Sequence, residues 1–394
     1  FKGNATIYGG DFISNKSNLY DNINNINPFS TRNLELNVEG PLVTEKLFYN
    51  LTARDIYYQG VFEGQRLFNP QNISYFDQDD NFNLHRLEIV GNDTLNPGKG
   101  DGAFVPMNWN RKTYLQGKLI YRHSPFTKLK YTLINDDVTY QDYNRMYRYN
   151  PDGNLKRYRY GLTQLLQLNH TFSTKTFLNA GITHFKKSYQ HRTYDRDKWN
   201  RYVHPKLLNS QPYSFLTGGT DLSVFSRETS TSTFKADLTS QWNSKNKIKL
   251  GVEFRQHQLN FNDYSLRPPD EKASFNELSD DPFLGNPQRF PDSTIYSSTY
   301  NFKPIEFSAY VQDKIELNEL IINLGVRLDY FDPKGKMLSD PSDPSIYNPI
   351  KPSNIYEDSN ENGVWDTGEN AVSIDNRRQY WFKDTNAKWK ISPR

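Results

Sequence analysis

Leu320-Ile321-Ile322-Asn323-Leu324-Gly325-Val326-Arg327-Leu328-Asp329 sets Leu320, Ile322, Leu324, Val326 and Leu328 against Ile321, Asn323, Gly325, Arg327 and Asp329. Successive side chains of a β-strand point to opposite faces, so this stretch has a greasy side and a side that must stay wet. Before it, Glu316 to Glu319 is a tight joint, and before that 302–316 alternates in the same way. Working outward, Leu34, Leu36 and Val38 alternate with Glu35, Asn37 and Glu39. Ile248, Leu250, Val252 and Phe254 alternate with Lys249, Gly251, Glu253 and Arg255.

The period predicts twelve strands, near 1–11, 31–41, 46–62, 108–123, 126–147, 159–173, 175–195, 230–244, 246–262, 302–316, 319–332 and 380–391. Alternation alone leaves a sandwich and a barrel open, because a solvent face and a wet lumen both accept charge. Strand length favours the barrel. The stretch from Phe126 to Tyr147 exceeds the mean globular strand of ~5–6 residues and the ~9–11 tilted residues that cross a bilayer. The connections agree. Pro41 to Lys46, His123 to Phe126, Ser173 to Lys175, Ser244 to Lys247 and Glu316 to Glu319 are tight, whereas 63–107, 148–158, 196–229, 263–300 and 333–380 are long and polar. An outer-membrane barrel needs this rhythm of short periplasmic turns and large external loops. The expected fold is all-β, an antiparallel transmembrane outer-membrane β-barrel in the bacterial outer membrane. Its first strand runs outward and its twelfth returns to a turn at Ser392-Pro393.

Composition fits this architecture and excludes others. Mean hydropathy is -0.84, and no run of ~18 apolar residues could form a membrane helix. A barrel needs apolar residues only at alternate strand positions. Aromatics make up 15% of the chain, with 27 Tyr, which argues against disorder and suits aromatic girdles. Cysteine is absent, so disulfides, thiolate zinc sites and a Cys nucleophile are excluded. A net charge of +3 gives no case for nucleic acid. The chain opens on a running strand and stops at Ile391-Ser392-Pro393-Arg394, so it is expected to be an internal piece of something longer.

Several stretches go beyond generic barrel character. Phe307-Ser308-Ala309-Tyr310-Val311-Gln312-Asp313-Lys314 followed by Leu324-Gly325-Val326-Arg327-Leu328-Asp329-Tyr330-Phe331-Asp332 resembles the barrel hairpin of TonB-dependent receptors, a Y-x-Q-D strand turning into G-x-R-x-D. Ser392-Pro393-Arg394 is similar to the S-P-R turn of that family, and Gly40-Pro41-Leu42 to its early G-P-L turn. Gly60-Val61-Phe62-Glu63-Gly64-Gln65-Arg66-Leu67-Phe68-Asn69-Pro70 and Phe104-Val105-Pro106-Met107-Asn108 resemble the Bacteroidota-type subgroup with a carboxypeptidase-regulatory-like domain before its plug. The resemblance implies that residues 1–394 are a partial barrel, the first dozen or so of about 22 strands around a plugged lumen. It also implies uptake driven by the inner-membrane TonB complex through a plug these residues do not contain.

One motif carries chemistry of its own, in the long loop 333–380. Residues 358–369 fit the calcium loop D-x-[DN]-x-[DN]-G-x5-E. Asp358, Asn360 and Asn362 supply oxygens, Gly363 permits the sharp turn and Val364 offers its carbonyl. Asp366 acts through a water, and Glu369 clamps the ion with both oxygens. No EF-hand helix pair flanks it, so the expected role of calcium is to stiffen the loop. The seven histidines form no metal or catalytic spacing, and His184 and His191, seven apart, carry a metal or haem contact only as a minor reading. Tyr143, Tyr147, Arg148, Tyr149, Arg157, Tyr158, Arg159 and Tyr160 admit two readings, contact with an anionic or sugar-like ligand and an aromatic belt with basic residues toward lipopolysaccharide, and the belt is preferred. Gly98-Lys99-Gly100-Asp101-Gly102 reads as a flexible turn, and H-E-x-x-H, G-x-S-x-G and Walker patterns are absent.

Three functional classes follow. The leading one is an outer-membrane receptor importing a scarce small-molecule, glycan or peptide ligand, and it is no enzyme. The second is a surface binding or adhesion protein anchored by the barrel and presenting calcium-stiffened loops. The third, an enzyme on a complete barrel of these strands, lacks a catalytic constellation.

Overall fold

The computed structural model describes every residue except 43–44, 73–75, 79–83, 87–99, 209–214, 271, 273–276, 279–280, 282–286, 293 and 361. Part of the first tight joint and Gly98-Lys99 thus lie outside the described residues. The wall strands are β1 (Lys2–Gly10), β2 (Thr31–Pro41), β3 (Leu47–Gln59), β4 (Trp109–Ser124), β5 (Thr127–Gln141) and β6 (Lys156–Ser173). They continue as β7 (Thr176–Arg192), β8 (Ser223–Gln241), β9 (Asn246–Arg267), β10 (Ile305–Glu316), β11 (Ile321–Asp332) and β12 (Lys388–Pro393). Each pairs antiparallel with its chain neighbours in an unbroken meander, and Ser297–Phe302 adds to the upper part of β9. The five connections at one end are short, and all the long ones gather at the other, including 11–30.

Register separates the faces. Leu36 faces Ala53, Leu166 faces Ile182, Phe234 faces Phe254, and Leu250 faces Val311. The alternate set pairs Glu35 with Arg54, Lys235 with Glu253 and Ser308 with Asp329. The apolar outer face is uncovered: Leu250, Val252, Val311, Val326 and Ile182 are all exposed. Ile248 to Phe254 gives about 20 Å of strand at ~3.4 Å per residue, on the order of the ~25 Å lipid band of a barrel. Trp242, Phe126 and Phe172 flank it at the short-turn end, all exposed.

No second sheet stacks on this wall among the described residues. The chain exposes 24891 Å², against about 16,000 Å² for a compact monomer of its 46.2 kDa mass. A sandwich would have hidden that surface, so the fold is the wall of an antiparallel outer-membrane barrel. β1 pairs only with β2 and β12 only with β11 among the described residues. The described strands therefore do not close a barrel by themselves.

Several expected boundaries move. The strand expected over 126–147 ends at Gln141, because Asn144 accepts a hydrogen bond from the Met146 N–H (3.1 Å) and starts a 3-10 turn, Arg145–Tyr147. β8 begins at Ser223, ahead of the expected 230, and β9 runs to Arg267, past 262. The strand expected over 380–391 is mostly something else. Ser373 caps helix α1 (Ile374–Trp381) by accepting from the Asn376 N–H at 3.2 Å. Phe382–Asp384 then pairs with Lys336–Leu338 outside the wall.

A charge on the outer face should be costly. Leu250→Arg is expected to lower unfolding stability in lipid vesicles by ~2–4 kcal/mol. Ser308→Arg, on the inner face beside Glu253 and Asp329, should change it by less than ~1 kcal/mol. Equal losses in denaturant titrations would contradict the face assignment.

Candidate functional site

The buried apolar residues collect in the long loops. Met107, Tyr147 and Leu216 form one cluster, with Tyr143 and Leu208 against it. Tyr202, Val224 and Leu266 form another, joined by Tyr194, Trp199 and Tyr264. Loops 60–108, 142–155 and 193–222 are stitched by backbone bonds: Gln65 N–H to the Arg148 carbonyl (2.9 Å), Leu216 to Met146 (2.8 Å) and Asp221 to Gly153 (2.9 Å). Gly153 packs so closely on the Gly219 carbonyl that any side chain would strike it, and Gly219 itself sits at φ +85°. Both positions require glycine.

Charged forks tie the same loops. Arg66 donates to Asp152 and Asp101, both at 2.7 Å. Arg148 grips Asp21 through Nε (2.9 Å) and Nη2 (2.7 Å), holding loop 11–30 against 142–155. A polar cavity of about 110 Å³ lies beside this fork, lined by Asp11, Asp21, Asn22 and Glu63 among others. Its carboxylates are already engaged. Asp11 accepts from Ser30 Oγ (2.7 Å), and Glu63 accepts from Asn22 and Gln59 (2.8 Å each). The Tyr202 hydroxyl accepts the N–H groups of Thr193 (3.2 Å) and Tyr194 (3.0 Å), and burial pushes its pKa up to about 12. Burial also raises the Tyr147 phenol, helped by nearby Asp221.

The calcium-loop residues form one exposed turn whose ends are held by the Tyr356–Ala371 bridge. Gly363 adopts φ +75°, as the sharp turn requires. Asp358 accepts the N–H groups of Asn362 (3.1 Å) and Gly363 (2.8 Å). Glu369 accepts those of Ser359 and Asp366 (2.9 Å each). The Asn360 and Asn362 amides donate to Asp366 at 2.8 and 2.7 Å and hold its carboxyl below the usual range. Val364 donates its N–H to the Asn362 side chain at 2.7 Å. Among the described residues, no group of three His, Asp or Glu side chains is gathered to hold a metal ion. The loop is pre-shaped, but its carboxylates are turned onto its own N–H groups.

His184 lies on the outer face against Ser232 Oγ (3.1 Å), while His191, an odd number of residues away on the same strand, stacks on Phe225 across the inner face. They cannot share a ligand. The expected aromatic belt is also divided. Tyr147 is core, Arg148 is locked to Asp21, and Tyr149 packs edge-on to Phe215 at 4.8 Å. Arg157 and Arg159 fall on the inner face, opposite to Tyr158 and Tyr160. One feature escaped sequence reading: a chain of touching rings on the inner face, from Tyr189 and His191 through Phe225 and Phe261 to Tyr300 and Phe302. Its members come from four strands, which register brings together.

Arg148→Ala should release loop 11–30 without disturbing the wall. Limited proteolysis is expected to cut 11–30 several-fold faster while strand content by circular dichroism stays constant. An unchanged cleavage rate would show that the fork does not hold the loop.

No protein-family model matches the sequence, and no curated protein matches it. Solved structures are similar at low identity. The ferripyoverdine receptor of the outer membrane of Pseudomonas aeruginosa aligns with a TM-score of 0.47 and 14% identity, over 84% of this chain and 37% of that one. The outer-membrane transporter YddB from Escherichia coli gives 0.45 and 12%, over 78% and 35%. The ferric-catecholate import receptor Fiu from Escherichia coli K12 gives 0.42 and 10%, over 92% and 45%. The matched part of the chain spans less than half the length of each of these structures.

Proposed function

We propose that this chain is part of the wall and outer loops of a TonB-dependent outer-membrane receptor of the Bacteroidota type, importing a scarce solute through a plugged barrel. The observation that carries this reading is the single-layer wall with an uncovered apolar face, a charged inner face and all its long loops at one end. Lipid tolerates the first face, and only water or a polar plug tolerates the second. The proposed partners are outer-membrane lipid and lipopolysaccharide, the inner-membrane TonB complex acting through the plug, and a small-molecule, glycan or peptide ligand. The adhesion reading draws no support from the described loop residues, which pack on one another and on the strand ends. Catalysis is no part of the proposal.

Full-length protein is the material for the test. It is expected to bind the periplasmic domain of TonB in pull-downs and to pass no steady current in planar bilayers. A freely conducting pore that ignores TonB would overturn the import reading.

Calcium in residues 358–369 is a second part of the proposal, with Asp358, Asn360, Asn362, the Val364 carbonyl, Asp366 and Glu369 as ligands. The dozen residues carry the hard oxygens that calcium takes at 6–8 coordination, on a turn already bent at Gly363. Binding requires the carboxylates to leave the loop's own N–H groups and turn to one centre, which stiffens the excursion. Calcium titration is expected to change Trp365 fluorescence and protect the loop from protease, and Glu369→Gln should abolish both. A flat titration would end the assignment.

A further inference from the structure

Above the apolar band the two faces of the wall exchange character. On β9 the outer positions pass from Ile248, Leu250, Val252 and Phe254 to Gln256, Gln258, Asn260 and Asn262. The inner positions pass from Lys249, Glu253 and Arg255 to Leu259 and Phe261. Water outside the bilayer accounts for the first change. Nothing about lipid accounts for the second, since rings on the inner side face neither hydrocarbon nor a sheet. On β8 the same inner face carries Phe225 and Arg227 above Lys235 and Asp237.

Register turns these residues into a lattice. One row reads Val138, Arg159, Tyr189, Arg227, Phe261, Tyr300 from β5 to the strand beside β9. The row above it reads Tyr140, Arg157, His191, Phe225. The rings touch along the lattice: His191 on Phe225 at 5.2 Å, Phe225 edge-on to Phe261 at 5.3 Å, and Phe261 on Tyr300 at 4.9 Å with planes 6° apart. None of these rings is buried, and Tyr300 is 40% exposed.

The cations between the rings are underused. Arg157 pairs with Asp142 at 3.3 Å, and Arg159 donates to the Tyr140 hydroxyl at 2.9 Å. Lys187, one row below, and Arg227 are exposed, and their side chains have no ion pair or hydrogen bond among the described residues. Asp136 and Asp263 share this part of the inner face, Asp142 holds Arg157 and Asp221 acts on His191, so Lys187 and Arg227 are the cations here without a partner among the described residues. Stacked rings offer flat apolar area, and unpaired guanidinium and ammonium groups beside them attract anions.

We propose that this inner face of β7, β8 and β9 binds a small anionic ligand with flat rings, which stacks on Phe225, Phe261 and Tyr300 while Arg227 and Lys187 take its acidic groups. The proposal rests on the receptor reading in one respect: a solute reaches this face only if it lines a water-filled mouth. Rings alone would take neutral flat solutes, and cations alone would take any anion. The lattice selects molecules that are both.

The test is equilibrium binding of pyrenetetrasulfonate, a flat anion, to the detergent-solubilised full-length protein, with inorganic sulfate as competitor. Arg227→Gln should weaken binding about tenfold, the scale of one charge-assisted hydrogen bond. Phe261→Leu should weaken it by about fivefold, the scale of one ring contact. Asn260→Ala, on the outer face of the same strand, should leave it unchanged and so controls for folding. Wild-type affinity in both inner-face variants, or sulfate competing as well as the pyrene, would overturn the proposal. Binding needs no energised membrane, so a receptor that ignores TonB but binds the probe sinks only the import reading.

Discussion

Hydrocarbon offers no partner to a backbone N–H or C=O, and the rest of this structure follows from that constraint. A strand crossing lipid must give every such group to its neighbours, so the wall is an unbroken antiparallel ladder from Lys2 to Pro393. Once the ladder is fixed, side chains choose their surroundings by parity alone. Leu250 and Val252 go to lipid, and Glu253 and Arg255 go inside. A one-residue slip would exchange the two sets, which is why alternating character pins the register so firmly. It also explains where the core lies. A single sheet with lipid on one face and water on the other has no interior, so apolar burial waits for the loops and the strand ends they cover, at Met107, Tyr147, Tyr202 and Leu216.

Sequence reading recovers the wall almost completely because lipid and water act on single strands. Leu324, Val326 and Leu328 between Asn323, Arg327 and Asp329 reveal their faces without any knowledge of neighbours. The reading weakens where the surroundings change along one strand. β9 runs past 262 to Arg267 because water replaces lipid outside, and the greasy period passes to the other face instead of ending. At 380–391 the aromatic pair Tyr380-Trp381 invites a strand, but the Ser373 cap commits the preceding residues to a helix and Trp381 is buried beneath it.

Sites follow the same division. The motif at 358–369, proposed to take calcium, is contiguous, so spacing alone displays it; the structure shows the turn at Gly363 and every carboxylate engaged by the loop's own N–H groups. The ring lattice is scattered over residues 138 to 302 and has no local signature. His191 and Phe225 are 34 positions apart and become partners only through the β7–β8 register. Tyr158 and Arg159 are adjacent in sequence and sit on opposite faces. Proximity along the chain made one cluster of residues that the sheet separates, and distance hid one that it assembles.

The loop layer explains how an open face of rings and cations can persist. Apolar rings exposed to water collapse onto whatever is near, and mobile loops would supply it. Here the described parts of the loops are spent on one another and on the outer side of the wall. Tyr194, Trp199 and Tyr202 cover Val224, Tyr264 and Leu266, which are outer-face positions, while Arg148 and Arg66 fasten loops 11–30, 60–108 and 142–155. With those segments committed, Phe225 is left edge-on to Phe261, Phe261 is stacked on Tyr300, and Arg227 stays solvated beside them. Ordering the loops before any ligand arrives also removes that entropy cost from binding. Packed loop clusters on the outer side and an uncovered inner lattice are thus two consequences of one arrangement among the described residues.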